Sequence, residues 1–197
     1  MHRDRGFVAI KSEQGVWIMV GEKQQGDGLL LVFTGNGKGK TTAALGLAFR
    51  AIGHGYPVSM IQFIKGNWKY GELETAQQFG SLMELHVMGK GFTWKSDDLD
   101  KDIQAAREGW NLAVKTIKEG RHRLVILDEL TYLISYKMLD EQEVLDVLAG
   151  RPKNMHIAVT GRDASAKLIE AADLVTEMCN VKHAYDNGVK AQKGIEF

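Results

Sequence analysis

The stretch that decides the fold is LLLVFTGNGKGKTTAALG, residues 29–46. Five apolar residues come first, then a turn with three glycines and two lysines, and then a segment of good helix formers. The turn closes with Gly39-Lys40-Thr41, the ending of a phosphate-binding loop, whose full pattern is a glycine, four free residues and Gly-Lys-Ser/Thr. Counting back five positions from Gly39 gives Thr34, so the sequence departs from this pattern at its first position.

The order of elements around this turn is the one that a phosphate-binding loop requires. The apolar run predicts a strand and the segment from Thr41 predicts a helix. Gly35, Gly37 and Gly39 let successive backbone N–H groups face an anion. Lys40 then reaches a phosphate oxygen, and Thr41 is placed to bind Mg²⁺. The alternative is an ordinary glycine turn with exposed lysines. The predicted phosphate-binding residues are Gly35, Asn36, Gly37, Lys38, Gly39, Lys40, Thr41 and Thr42.

The rest of the chain alternates short apolar runs with helical patterns. Because the runs are apolar with little alternation, we expect strands of a sheet that is covered on both faces. Residues 101–119 have amphipathic helical spacing, whereas residues 41–53 are apolar nearly all round, which predicts a central, buried helix. This order predicts a doubly wound α/β fold with a mostly parallel central sheet. Predicted strands are 29–34, 58–64, 83–88, 124–128, 155–160 and 173–178, and further helices are 141–149 and 165–172.

Composition restricts the classes of function. The 197 residues suit one domain with a full core, and 25 basic residues balance 25 acidic ones, so nothing indicates a nucleic-acid or membrane-surface partner. The single cysteine, Cys179, excludes an internal disulfide and argues against a cysteine zinc site. The longest apolar run, residues 29–33, is too short to span a bilayer, and no signal peptide is recognised. We therefore expect a cytoplasmic protein.

Two acidic residues follow a predicted buried strand. Asp128 and Glu129 lie in LVILDEL, residues 124–130, where the apolar run ends. In phosphate-loop proteins an acid at this point faces Mg²⁺, directly or through water. The alternative is a strand that ends in ordinary solvated acids. The glycine-rich turn upstream favours the metal hypothesis.

An arginine follows another predicted strand. Arg162 lies in TGRD, residues 160–163, and in a parallel sheet it reaches the edge where the other motifs meet. A guanidinium there can hold a polyphosphate through two parallel hydrogen bonds. The alternative is a surface arginine before a helix whose cap is Asp163 or Ser165.

Three segments have less specific patterns. Residues 89–94, GKGFTW, place Phe92 and Trp94 on a connection at the ligand edge. These aromatic rings either form the base of a pocket for a flat ligand or pack into the core beneath the loop. The tail, residues 181–197, either wraps over the ligand edge or is a surface tail. Residues 1–28 fall outside the alternation and are compatible with a hairpin, a flexible cap or an extension.

Six blocks of this sequence occur together in one protein family. Over residues 29–197 the chain resembles the phosphate-loop ATP:corrinoid adenosyltransferases, also called cob(I)yrinic acid a,c-diamide adenosyltransferases. A loop alone is weak support, whereas six blocks in the same order are specific. Residues 1–28 depart from the family, which often has a charged, helix-prone segment there that helps to cover the corrinoid. The blocks are FTGNGKGKTTAALG, IQFIKGNWKYGE, GFTW, VILDELTY, TGRD and VKHAYDNGVKAQKGIEF.

The resemblance implies an α/β fold that is RecA-like, with a phosphate loop and three layers around a mostly parallel central sheet. It also implies a reaction in which the phosphates are the leaving group. Members transfer the 5′-deoxyadenosyl group of ATP to the Co(I) of a reduced corrinoid and release triphosphate, in adenosylcobalamin biosynthesis or corrinoid salvage. The bond that breaks is a carbon–oxygen bond at C5′. Because Co(I) is itself a strong nucleophile, the protein needs no general base and has to align the reactants and stabilise the departing charge.

The resemblance also implies roles for individual residues. Thr41 and Glu129 are the implied ligands of Mg²⁺ (or Mn²⁺), and Asp128 is the weaker candidate. Phe92 and Trp94 match the family's aromatics on the corrinoid side, where apolar rings exclude an axial ligand from cobalt and ease the reduction of Co(II). The implied catalytic residues are Lys40, Thr41, Phe92 and Trp94, and Arg162 is a further phosphate contact.

Substrates and partners follow from the same resemblance. ATP is the co-substrate, and the corrinoid is cobalamin, cobinamide or cobyrinic acid a,c-diamide. A reduced flavoprotein is the expected electron donor, and a homodimer is the expected assembly.

Two rival functions share the glycine-rich turn and the acidic strand end. A kinase or ATPase releases ADP, and a nucleotide-binding regulator binds ATP without turnover.

Overall fold

The computed structural model describes residues 7–11, 17–21, 26–65, 70–89 and 99–197. The first two ranges form an antiparallel hairpin of β1 (Phe7–Lys11) and β2 (Trp17–Gly21). Of the three alternatives for residues 1–28, the hairpin is therefore the one that these described residues adopt. The predicted domain boundary at residue 28 stays a prediction.

Six parallel strands form the central sheet, in the order β5-β4-β6-β7-β3-β8. Every neighbouring pair is parallel, which confirms the predicted α/β class. All five residues of β3, β4 and β6 are buried, which explains why their sequences are apolar runs without alternation. The strands are β3 (Leu30–Thr34), β4 (Val58–Gln62), β5 (Met83–Val87), β6 (Leu124–Asp128), β7 (His156–Thr160) and β8 (Leu174–Glu177).

Helices cover both faces of this sheet and give the three predicted layers. The core on one face includes Ala44 and Ala48 of α1 and Ala76 of α2. The core on the other face includes Trp110 of α3 and Leu148 of α5. The helices are α1 (Lys40–Gly53), α2 (Gly71–Gln78), α3 (Leu99–Glu119), α4 (Leu130–Ser135), α5 (Glu141–Ala149) and α6 (Ala166–Ala171), and two short 3₁₀ helices are Gly80–Leu82 and Ala184–Asn187.

Two of these helices differ in how well the sequence predicted them. In α3 the predicted amphipathic spacing is confirmed, because Ala106, Trp110 and Ile117 are buried. In α1 the prediction of a helix buried all round is wrong. Only its residues at 44, 48 and 52 are buried, and Phe49 is 71% exposed. The physical reason is that α1 packs on one face of the sheet, and its apolar side chains Leu45 and Phe49 face an open cavity. Among the helices that the structure describes, none is long and apolar enough to cross a membrane.

Candidate functional site

A cavity of about 650 Å³ opens at the carboxyl edge of the parallel sheet. Parallel strands bring the ends of β3, β4, β6 and β7 to this edge, so residues that are distant in sequence meet there. Seven of the predicted site residues line the cavity: Lys38, Gly39, Lys40, Thr41, Thr42, Glu129 and Arg162. Gly35, Asn36, Gly37 and Asp128 are not part of its lining, and Phe92 and Trp94 lie outside the described residues.

The glycine loop, residues 35–39, packs tightly against the chain that follows β8. Gly35 has φ +92°, and a Cβ at that position would lie 2.6 Å from the carbonyl oxygen of Met178. A Cβ on Gly37 would lie 2.6 Å from the carbonyl oxygen of Cys179. The Gly37 N–H donates to the Met178 carbonyl at 2.6 Å, so this N–H is engaged within the protein and does not face an anion as predicted.

Thr34 explains the missing first glycine of the loop pattern. This residue is the buried last residue of β3, and its hydroxyl accepts a hydrogen bond from the Ala164 N–H at 3.2 Å. The bond ties the end of β3 to the connection that carries Arg162. A threonine at position 34 therefore holds two walls of the site together, which a glycine cannot do.

The two loop lysines donate hydrogen bonds to backbone carbonyl groups. Lys40 Nζ donates to the carbonyl oxygens of Gly35 and Gly37, both at 2.7 Å. Burial lowers the pKa of Lys40, the neighbouring Arg162 lowers it further, and the acids of the site oppose both. Lys38 Nζ donates to the carbonyl oxygen of Ile195 at 2.9 Å. Each ammonium has three N–H donors, so the lysines can contact phosphate oxygens in addition or in exchange.

Asp128 is the buried centre of the polar side of the site. Its Oδ1 accepts hydrogen bonds from the hydroxyls of Thr41 at 2.9 Å and Thr160 at 2.7 Å, and its Oδ2 accepts from Gln62 Nε2 at 3.3 Å. Burial raises the pKa of this carboxyl, while Lys65 and the hydroxyl donors act in the opposite direction. Asp128 thus fixes the hydroxyl of Thr41 at the start of α1.

Glu129 lines the cavity beside it. The residue has a left-handed backbone, φ 65°, and its N–H donates to the Thr160 hydroxyl at 2.9 Å. Burial first, and then the adjacent Asp128, raise its pKa from 4.5 to about 7. A carboxyl with this pKa is in an environment that favours a cation beside it.

The tail reaches the same cavity, as one of its two sequence alternatives predicted. Residues 194–197 line the cavity next to the glycine loop, and Lys38 donates a hydrogen bond to the carbonyl oxygen of Ile195. His183 caps the short helix Ala184–Asn187 by accepting from the Tyr185 N–H at 3.2 Å, which is a structural role. Ser165, one of the two predicted caps, does the same for α6 by accepting from the Leu168 N–H at 3.1 Å.

A family model and curated relatives of this chain agree on one family. The family model that matches is described as ATP:corrinoid adenosyltransferase BtuR/CobO/CobP, and it covers residues 26–197. The chain belongs to this family. It is 45% identical to the corrinoid adenosyltransferase of Escherichia coli strain K12 over 178 residues, 90% of each chain. It is 46% identical to the corrinoid adenosyltransferase of Pseudomonas aeruginosa over 170 residues, 86% of this chain and 84% of that one.

A solved structure supports the fold assignment of this family member. The flagellar accessory protein FlaH from Methanocaldococcus jannaschii superimposes with a TM-score of 0.53 at 10% sequence identity, covering 77% of this chain and 71% of that one. At this identity the likeness concerns the fold alone. The α/β architecture is therefore shared well beyond the adenosyltransferase family.

The oxygen atoms of the side chains at the cavity are suitable ligands for a magnesium ion. Mg²⁺ prefers oxygen ligands and is usually held by one or two carboxylates together with substrate phosphates. Glu129 supplies a carboxylate, and the Thr41 hydroxyl, which donates to Asp128, keeps its lone pairs available. Within the described ranges no group of three or more His, Cys, Asp or Glu side chains is placed to hold a metal by itself. The site thus fits an ion that arrives with a polyphosphate.

Several site residues were not predicted from the sequence. Thr160 and Gln62 hold Asp128, while Lys65 and Glu72 line the cavity beyond the end of β4. No fixed spacing connects these positions to the glycine loop, because the sheet order brings them together. The available signal was that Gln62 and Thr160 lie near the ends of predicted strands and Lys65 directly follows one. Glu72, in contrast, lies on α2, which was not predicted. An apolar wall was also missed; it consists of Leu45, Ala48, Phe49, Ile52, Phe79 and Met83.

Proposed function

We propose that this chain transfers the 5′-deoxyadenosyl group of ATP to the Co(I) of a reduced corrinoid and releases triphosphate. The observation that carries the proposal is the family match over residues 26–197, whose glycine loop lies on a cavity with four cationic side chains. Complete cobalamin, cobinamide and cobyrinic acid a,c-diamide are the substrates to compare.

The proposed roles follow the geometry of the cavity. Lys38, Lys40 and Arg162 hold the triphosphate, which leaves with the electron pair of the C5′–O bond as cobalt bonds to C5′. Thr41 and Glu129 would hold Mg²⁺, with Asp128 positioning the Thr41 hydroxyl. The ion supplies charge neutralisation of the phosphates when it is bound. Alignment of C5′ with cobalt supplies the rest of the acceleration.

An anaerobic assay tests this function. The protein is mixed with MgATP and chemically reduced cob(I)alamin, the corrin spectrum is followed, and the phosphate product is identified. We expect a light-sensitive cobalt–carbon product and one triphosphate for each turnover. Unchanged corrinoid with ADP and phosphate would establish an ATPase instead, and tight ATP binding without any product would favour a regulator.

Phe92 and Trp94 remain proposed residues of the corrinoid side. Replacing both with alanine should impair the use of Co(II) corrinoid with a reductant far more than the binding of ATP. The reason is that an axial ligand readmitted to cobalt stabilises Co(II) relative to Co(I). Calorimetric titration with ATP and anaerobic turnover from Co(II) measure the two effects. Equal losses in both would reduce these aromatics to a structural role.

We also propose a reduced flavoprotein as the electron donor and a homodimer as the assembly. Both proposals rest on the family to which the chain belongs. Turnover from cob(II)alamin with reduced flavodoxin tests the donor. Sedimentation equilibrium of the full chain tests the assembly.

A further inference from the structure

A lysine that the loop motif does not include stands on the far side of the acids. Lys65 lies three residues beyond the end of β4 and lines the cavity. In the sheet, β4 and β3 lie on opposite sides of β6, which ends in Asp128. The loop lysine Lys40 follows β3, so the two lysines flank the acidic residues from opposite directions.

The Lys65 side chain is held in a defined position. It is only 16% exposed, its Nζ donates to Glu72 Oε1 at 2.7 Å, and it lies 4.5 Å from the centre of the Tyr70 ring. Glu72 Oε1 also accepts from Gln62 Nε2 at 3.3 Å, and this fully buried amide donates to Asp128 as well. A chain of hydrogen bonds therefore connects Lys65 to the acid that fixes Thr41. An ordinary solvated lysine has no such network, and ordering its long side chain costs conformational entropy.

Lys65 lines the cavity, and its ammonium has three N–H donors. Among the described residues, Glu72 accepts from one of these donors and the Tyr70 ring lies against the cation. A lysine ammonium only donates, so a ligand at this wall has to present acceptor oxygens. Lys65 and Glu129 both line the cavity, so Lys65 places a cation on the same wall region as the acidic residues of the site.

We propose that Lys65 is a fourth cationic contact of the polyphosphate chain, positioned by Glu72 and Gln62. Three strand spacings, roughly 14 Å, separate β3 from β4, a gap that an extended polyphosphate and two lysine side chains span together. The proposal rests on the proposed function only in taking a polyphosphate as the ligand. Lys65 binds the end of the polyphosphate that lies farthest from the glycine loop.

Calorimetric titration with inorganic tripolyphosphate, with and without Mg²⁺, tests this contact. Lys65→Met should weaken binding at least about tenfold, which corresponds to 1.4 kcal/mol, and Lys65→Arg should restore most of the affinity. The matched control is Lys115→Met, which removes an exposed Lys–Glu pair on α3. If the Lys65–Glu72 pair only ties α2 to β4, Lys65→Met will lower Tm and leave the tripolyphosphate affinity unchanged. That result would overturn the proposal.

A second measurement uses the unaltered protein and does not depend on how a variant folds. Lysines are acetylated with and without saturating tripolyphosphate, and each site is quantified by mass spectrometry. We expect protection of Lys38, Lys40 and Lys65 but not of Lys115. Protection of the loop lysines alone, or of none, would contradict the proposal. Because neither measurement involves a corrinoid, protection of Lys65 without adenosyl transfer would refute the proposed function and leave this contact standing.

Discussion

At the residue scale, the site depends on a carboxyl that is costly to ionise. Glu129 titrates near 4.5 in an unfolded chain and at about 7 in the folded protein. Because its folded pKa is the higher one, its stabilising contribution is complete below about pH 4.5 and is lost as the pH rises through about 7. This shift corresponds to roughly 3 kcal/mol of stability.

Glu129→Gln should therefore make the ligand-free protein more stable than the wild type at pH 8 and change little at pH 4.5. Urea unfolding of both proteins at the two pH values measures the difference. The pKa of Asp128 is raised as well, so the stability of the wild type alone does not isolate Glu129. The difference in unfolding free energy between the two proteins does. An equal difference at both pH values would show that the glutamate does not titrate as described.

Thr34 gives a second test at this scale. Thr34→Val keeps the shape of the side chain and leaves the Ala164 N–H without its acceptor. We expect a loss of about 1–2 kcal/mol of unfolding free energy, together with weaker ATP binding because the Arg162 connection loosens. Thr34→Ser keeps the hydroxyl and is the control. Equal stability of the valine and serine variants would mean that this bond contributes nothing.

At the scale of elements, the glycine loop and helix α1 offer a matched pair of substitutions. Gly37→Ala puts a Cβ against the Cys179 carbonyl and should cost about 1–3 kcal/mol and most of the ATP affinity. Gly46 lies in the interior of α1 with open space around it, so Gly46→Ala should stabilise the protein by about 0.5–1 kcal/mol. Thermal unfolding and ATP titration of both variants provide the comparison. Similar behaviour of the two would contradict the tight packing of the loop.

The sequence predicted elements well where burial leaves a local pattern. The buried strand β6 was predicted at its observed bounds because both faces of the sheet are covered. Helices α2 and α4 were missed because they are short and begin without a Ser, Thr, Asp or Asn cap, whereas the equally short α6 begins after Ser165. The exposure of Phe49 was also missed, because an apolar side chain looks the same in sequence whether it faces a core or a cavity.

The site was predictable only in part for a related reason. Lys40, Thr41 and Arg162 belong to motifs with defined spacing, and the structure brings them to one cavity. Lys65 and Glu72 reach that cavity through strand order and the docking of α2, which no local spacing records.

At the scale of the whole molecule, the hairpin of β1 and β2 is a sheet of its own. It lies outside the residues that the family model matches, and among the described strands it does not pair with the six-stranded sheet. The cores on the two faces of the sheet are formed by residues of the sheet, its helices and the connections between them. We therefore expect a chain that lacks residues 1–25 to unfold cooperatively and to bind ATP with the affinity of the full chain. Denaturant unfolding and calorimetric titration check both expectations. A non-cooperative transition would show that the hairpin is part of the folding unit.

The central claim is that the triphosphate is the leaving group and that the C5′–O bond breaks. The most direct measurement is a single anaerobic turnover with cob(I)alamin and ATP that carries a heavy oxygen isotope at the bridging C5′ oxygen. Mass spectrometry of the products then locates the label. We predict that the label leaves in the triphosphate and that the corrinoid product contains none. A label that stays with the nucleoside in ADP would contradict this account.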